Sequence, residues 1–181
     1  MSAISSGESV MLCYASESEN TTTGIREVVT AAFGQTSEAN LIDTIRHSPN
    51  FIPELSIVAV EAGGVLGHIL FSPIVIETQQ HSVPALALAP LAVTPARQRE
   101  GIGRQLVQVG LSKCRELGHQ IVVVLGHSDY YPSFGFQKAS QFGVQAPFSV
   151  PDEAFMVLEL QPGALMGVSG IVRYPAYFDE V

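Results

Sequence analysis

Positive charge is scarce in this sequence. Its 181 residues hold nine Lys and Arg against 17 Asp and Glu, a formal net charge of −8. That balance argues against nonspecific nucleic-acid binding, which depends on neutralising phosphates with basic side chains. Cysteine is nearly absent too. Cys13 and Cys114 fall in different expected elements and lack the spacing of metal ligands. Both thiols are therefore read as reduced, and no metal site is expected. No apolar run reaches the roughly 18–20 unbroken residues that a membrane helix needs. The longest candidate, Val83 to Pro95, is interrupted by Pro84 and Pro90 and reads as a buried strand. Met1 to Glu8 carries neither the basic nor the apolar region of a signal peptide. A cytoplasmic protein without a membrane or nucleic-acid partner is expected.

What the sequence does have is core. Its hydrophobic content is 46% and its mean hydropathy +0.28, enough for one fully packed domain over residues 1–181. Val10 to Tyr14 reads as a first strand, and Gly24 to Phe33 and Ser37 to His47 as two helices. Ser37 is placed to cap the second helix, whose buried stripe is Leu41, Ile42 and Ile45. Three strand-like runs follow: Leu55 to Glu61, Val65 to Glu77 and Ala85 to Val93. Ala62-Gly63-Gly64 marks a hairpin turn, and Pro90 marks a bulge, because proline cannot donate to a ladder. A helix from Gly101 sets Ile102, Leu106, Val109 and Leu117 near one face, with Gly118 to end it. Ile121 to Leu125 has the β-branched character of a strand buried on both faces. A short helix near Tyr131 and strands near 143–146 and 154–160 complete the pattern, while residues 163–181 show little periodicity.

The most telling stretch runs from Leu91 to Leu106. An apolar strand enters a turn containing Gln98-Arg99-Glu100-Gly101-Ile102-Gly103, and a helix begins at once. The first turn of a helix has free N–H groups and the positive end of the dipole, and glycine lets an anion reach the backbone. Five of the nine basic residues, Arg97, Arg99, Arg104, Lys113 and Arg115, gather between 97 and 115. A phosphate-bearing ligand is therefore expected here, against the plainer reading of a tight strand-to-helix turn. It is not a P-loop, since no Gly-Lys-Ser/Thr run exists. Nor is it a dinucleotide fingerprint, since Leu106 stands where that motif needs a third small residue.

The six-residue pattern resembles the pyrophosphate loop of the GNAT superfamily of N-acetyltransferases, Gln/Arg-x-x-Gly-x-Gly/Ala. The order of elements from about residue 10 to 160 is similar to that family as well. The runs Gly67 to Pro73, Leu88 to Val93, Pro151 to Met156 and Val172 to Pro175 look like a bacterial branch of it. The resemblance implies an α/β fold of GNAT type. Its central sheet is mixed and mostly antiparallel, flanked by helices, with a splayed parallel strand pair at the cofactor site. It implies that the backbone of Leu91, Ala92 and Val93 meets the pantetheine arm of acetyl-CoA. The loop Gln98, Arg99, Glu100, Gly101, Ile102, Gly103 and Arg104 would hold the pyrophosphate. Many relatives have glycine where this chain has Arg99. We expect ordinary backbone there, with the arginine adding charge beside the phosphates.

A second match is Tyr131-Pro132-Ser133-Phe134-Gly135-Phe136. By resemblance, Tyr131 lies near the thioester and protonates the departing thiolate, with Tyr130 able to take its place if the register slips. The attacking amine must first lose a proton, because an ammonium has no lone pair. Glu38, His68, Ser72 and His127 are the candidates for that work, and each also has an ordinary structural role open to it. The implied activity is direct acetyl transfer from acetyl-CoA to a primary amine in a ternary complex. A sensor that binds acyl-CoA without turnover, and an unrelated nucleotide-binding protein, remain the alternatives. The acidic balance favours a cationic acceptor, such as a polyamine or basic peptide. The family likeness makes a homodimer plausible.

Overall fold

The structure is a computed structural model that describes residues 10–181; the expectation for Met1 to Glu8 lies outside them. Among the described residues the strands are β1 (Cys13–Ser16), β2 (Ser56–Glu61), β3 (Gly64–Thr78), β4 (Ser82–Val93), β5 (Ile121–Leu125), β6 (Gln137–Lys138), β7 (Val144–Gln145), β8 (Phe155–Glu159) and β9 (Gly170–Arg173). The helices are α1 (Thr22–Phe33), α2 (Ser37–Arg46) and α3 (Ile102–Glu116). One sheet takes in every strand, in the order β1-β2-β3-β4-β5-β8-β6, with β9 on the far half of β3 and β7 beside β9. Pairing is antiparallel except for β4 with β5 and β7 with β9.

Alternation along the strands explains the layers. Ile57, Ala59, Ile69 and Phe71 point to one face, where they pack with Ile102, Leu106, Val107 and Leu111 of α3. Val58 and Leu70, one residue out of phase, point to the other face and meet Ile25, Val29, Ile42 and Ile45 of α1 and α2. The helix α3 sits close because it presents Gly110: a Cβ there would lie 2.3 Å from Phe71 Cε2. Its buried face is Ile102, Leu106, Val107, Gly110, Leu111 and Cys114. Leu117, expected on that face, is 44% exposed. It lies past the last turn, so the stripe no longer carries it inward. Gly118 follows with φ +85°, the left-handed residue that ends the helix.

Two other expectations shift. The first strand begins at Cys13 rather than Val10, because only Cys13–Ser16 find partners on β2, and Val10 and Met11 stay exposed. Ser37 is the first residue of α2 rather than its cap; its hydroxyl donates to Glu38 Oε2 at 3.0 Å. The segment without periodicity does have structure. Val75–Thr78 of β3 pair with Gly170–Arg173 of β9, and a short 3-10 turn, Ala176–Glu180, then lies against α2.

A buried polar cluster pins α2 to the sheet. Arg46 Nε donates to Glu17 Oε1 at 2.5 Å and Arg46 Nη1 to Asp43 Oδ1 at 2.5 Å. The same Glu17 accepts from Ser56, whose hydroxyl lies 2.7 Å from His68 Nε2. Burial alone would raise the Glu17 carboxyl, but the nearby His68 ring at 3.7 Å, the hydrogen bonds from Arg46 and Ser56 and the Arg46 charge outweigh it. The carboxyl is held at about 2, against an ordinary 4.5. A carboxyl depressed on folding stabilises the protein above its unfolded value and loses that contribution as pH falls toward its folded one. Glu17→Gln, which leaves Arg46 short of a buried counter-charge, is expected to cost roughly 3 kcal/mol at pH 7. Urea unfolding at pH 7 and pH 3 checks this: the gap between wild type and variant narrows at pH 3, and an equal gap contradicts it.

Candidate active site

The site begins with a failure of pairing. Strands β4 and β5 are in register at two positions, Leu86 with Val122 and Ala87 with Val123. Beyond them β5 continues to pair with β8 as far as Leu125 with Phe155. On its other edge β4 faces β3, where Ile69 meets Leu91 and Phe71 meets Leu88. Three steps along β4 thus match two along β3. The extra residue is the bulge expected at Pro90, and it turns β4 away from β5.

The bulge leaves backbone groups facing the gap. Thr94 N–H donates to Leu66 C=O, which makes Val93 and Gly67 a non-hydrogen-bonded pair and Ala92 and His68 a hydrogen-bonded one. Ala92 is therefore committed to β3. Leu91 and Val93 direct their backbone groups toward the space that β5 has left. The Val93 carbonyl accepts from Gln98 Nε2 at 3.1 Å, so the glutamine of the motif ties the loop to the end of the strand.

The loop then delivers donors. The first bond into α3 runs from Gln105 N–H to Gly101 C=O. Among the described residues, no protein acceptor meets the N–H groups of Arg99, Glu100, Gly101, Ile102, Gly103 or Arg104. Gly101 has φ +89° at the N-cap, a conformation that glycine adopts freely. Gly103 is needed for space instead. A Cβ there would lie 3.2 Å from Tyr130 Oη and 3.5 Å from Val93 Cγ2. Arg99 corrects the expectation: its φ is +66°, in the left-handed region, so the side chain is carried on strained backbone. The basic cluster is also smaller than the sequence suggests. Arg97 is held by Glu61 at 2.7 Å and Glu100 at 2.6 Å, and Lys113 by Glu116 at 2.8 Å. Arg99 and Arg104 have no carboxylate partner among the described residues, and Arg104 lies over the Phe134 ring at 5.3 Å.

Past the bulge lies a cavity of about 870 Å³. Leu88, Ala89, Pro90 and Leu91 line it from β4, and Leu125, Gly126, His127 and Tyr131 from the chain after β5. Tyr131 is buried, its ring set edge-on to Tyr130 at 5.1 Å and to Phe136 at 5.6 Å. Gly126 makes room for it, since a Cβ there would come within 2.3 Å of the ring. Burial, with a smaller contribution from Tyr130, raises its phenol well above the ordinary 10 and keeps it protonated. Tyr130 points elsewhere, with its hydroxyl beside Gly103 and its ring outside the cavity lining.

The other sequence candidates divide cleanly. Glu38 and His127 both line the cavity. Glu38 is buried and accepts from Gln35 Nε2 at 2.9 Å and from Ser37 at 3.0 Å. His127 is exposed, and its carbonyl accepts from Tyr130 and Tyr131, which sets the turn carrying both tyrosines. His68 and Ser72 do not reach the cavity. Both are fully buried in β3, and His68 belongs to the Glu17 cluster. Cys114 is buried, its thiol pushed up to about 12, and neither cysteine lines the cavity. The sequence did not reveal the opposite wall, made by Phe33, Phe148, Tyr174, Phe178 and Asp179. Three aromatics in five residues, Tyr174, Tyr177 and Phe178, were the available signal, because such a segment needs a surface to cover.

A sheet parted by a bulge, with free donors at the following helix, defines an acetyltransferase of the GNAT class. Comparison with known proteins agrees. Residues 14–139 match the acetyltransferase (GNAT) domain family, and the chain belongs to it. The Escherichia coli K12 protein called uncharacterized N-acetyltransferase YjhQ is 39% identical over 149 residues, 79% of this chain and 82% of that protein. The crystal structure of the E. coli GNAT family N-acetyltransferase YhbS, in complex with CoA, superposes with a TM-score of 0.87 at 30% identity, covering 97% of this chain and 96% of that one. A GNAT family acetyltransferase from Brucella melitensis, in complex with acetyl-CoA, gives 0.77 at 33% identity over 93% and 99%.

The strain at Arg99 is testable without any ligand. A left-handed non-glycine residue stores about 1–3 kcal/mol, and glycine gives back roughly 0.5–1 of that through the unfolded chain. Arg99→Gly is expected to raise the melting temperature by about 2 °C while Arg99→Ala does not. Equal melting temperatures for the two variants would contradict the strain.

Proposed function

We propose that this protein moves an acetyl group from acetyl-CoA to a primary amine while both are bound, with no covalent enzyme intermediate. The observation that carries the reading is the gap opened at Pro90, with unpaired backbone donors at one end and Tyr131 in the cavity at the other. Acetyl-CoA is the acyl donor, a substrate consumed at each turnover. The pyrophosphate falls to the N–H groups from Arg99 to Arg104, with the Arg99 and Arg104 charges beside them. The pantetheine amides fall to Leu91 and Val93; Ala92 packs the strand instead. Gln98, Glu100 and Ile102 shape the loop: one holds Val93, one neutralises Arg97, and one anchors α3 in the core.

An amine with a lysine-like pKa of about 10.4 arrives protonated at neutral pH. His127, at the rim and open to solvent, takes one of its protons, and Glu38 orients the cation before that loss. The nitrogen lone pair then forms the bond to the thioester carbonyl carbon, the carbon–sulfur bond breaks, and the nitrogen gives up its second proton to solvent. Tyr131, kept protonated by burial, donates to the departing sulfur and recovers its proton from solvent. The products are an amide and CoA thiol, which balances atoms and charge. Cys114 and Cys13 stand away from this path, in keeping with direct transfer.

Tyr131→Phe removes the donor and keeps the ring, so kcat is expected to fall roughly tenfold or more with little change in acetyl-CoA affinity. His127→Ala, in the same thiol-release assay run across pH, is expected to lose the acidic limb of the profile. An unchanged kcat in the first variant, or an unchanged profile in the second, removes that residue from the mechanism.

A further inference from the structure

The cavity has two unlike walls. The wall formed by β4 and Tyr131 belongs to the family fold, within residues 14–139. Phe148, Tyr174, Phe178 and Asp179 lie beyond residue 139, on the segment that β9 and the final 3-10 turn bring back to α2. This wall lies outside the span that the domain family matches.

Its aromatics form one continuous surface. Phe148 stacks on Tyr174 at 6.0 Å and 23°, and Tyr174 meets Phe178 at 5.1 Å. Phe148 is nonetheless 47% exposed, and Phe33, which also lines the cavity, is 42% exposed. Large aromatic rings left in water at the mouth of a cavity regain that lost burial when a flat apolar group settles between them.

The charges are as specific. Glu38 is held by neutral donors, and neither it nor Asp179 has a basic partner among the described residues. The one Arg lining the cavity, Arg173, is already matched by Glu77 at 3.4 Å. Two carboxylates without a basic partner, in a cavity that also presents aromatic rings, suit a single ammonium, which aromatic faces attract as well. A polyamine would need carboxylates spaced along its length, and this cavity offers aromatic rings there instead.

Resting on the acetyl-transfer reading above, the geometry points to an acceptor of one class: a small monoamine with an aromatic body. Its ring lies against Phe148 and Tyr174, and its ammonium faces Glu38 and Asp179. The polyamine or basic-peptide acceptor that overall charge suggests gives way to it.

The probe is 2-phenylethylamine, compared with n-propylamine, spermidine and a lysine peptide, with thiol release followed on the full chain. Its kcat/KM is expected to exceed that of each other amine by about tenfold or more. Phe148→Ala and Asp179→Asn alter exposed positions, so folding is preserved. Each is expected to raise KM for 2-phenylethylamine about tenfold while the calorimetric Kd for acetyl-CoA stays unchanged. Calorimetry of 2-phenylethylamine into the CoA-bound protein gives a readout independent of turnover, and Phe148→Ala should weaken that binding by the same factor. Acetyl-CoA binding with spermidine or the peptide preferred, or with KM unmoved in both variants, overturns the aromatic-amine inference alone. Absence of acetyl-CoA binding overturns the transfer reading and this inference with it.

Discussion

One extra residue in β4 governs this molecule. A ladder between β4 and β5 that ran its full length would consume the backbone groups of Leu91 and Val93 and close the sheet. The bulge at Ala89 and Pro90 ends that ladder after Ala87 and Val123, while β3 on the other edge keeps β4 in place. The opening survives because each strand stays paired on its far side: β4 with β3, and β5 with β8 along its whole length. Both faces are also packed, with α3 on one and α1 and α2 on the other. A rigid sheet thus carries a local defect, and the defect is where the acyl donor is proposed to lie.

The loop that follows works mainly through backbone rather than through a field of positive charge. Arg97 is matched by two carboxylates, and Lys113 is matched on the outer face of α3. What remains is a row of N–H groups at a helix N-terminus, with Arg99 and Arg104 near them. Helix ends favour anions because these donors are already oriented and cost no reorganisation. The chain also keeps a left-handed arginine at 99, where glycine would be easier. That placement trades local stability for a guanidinium beside the proposed phosphate position.

The parts of the fold with strong local signatures could be read directly. The Gln98 to Gly103 motif, the β-branched run of β5 and the bulge proline each reflect short-range constraints, and each stands where expected. Tyr131 was legible from its spacing to Gly135, and the structure separates it from Tyr130. Other features depend on distant partners and left little local trace. Gly170 to Arg173 form a strand because Val75 to Thr78 offer an open edge, far away in sequence. His68 looked like a candidate base until Glu17 and Ser56 were seen to surround it. The φ of Arg99 is set by how the loop closes onto α3, which residue type alone does not encode. The aromatic wall is likewise assembled from three separate segments, so no single window of sequence contains it.

The central claim is that acetyl-CoA enters the gap with its phosphates at the start of α3. Calorimetric titration with acetyl-CoA, using ATP and NADH as controls, tests it most directly on wild type and Gly103→Trp. Position 103 has Tyr130 and Val93 close around it and no room for an indole. The account predicts micromolar binding of acetyl-CoA to wild type, none of either control, and loss of binding in a variant whose melting curve shows it folded. Binding that survives the tryptophan, or wild type that takes ATP and ignores acetyl-CoA, would contradict it.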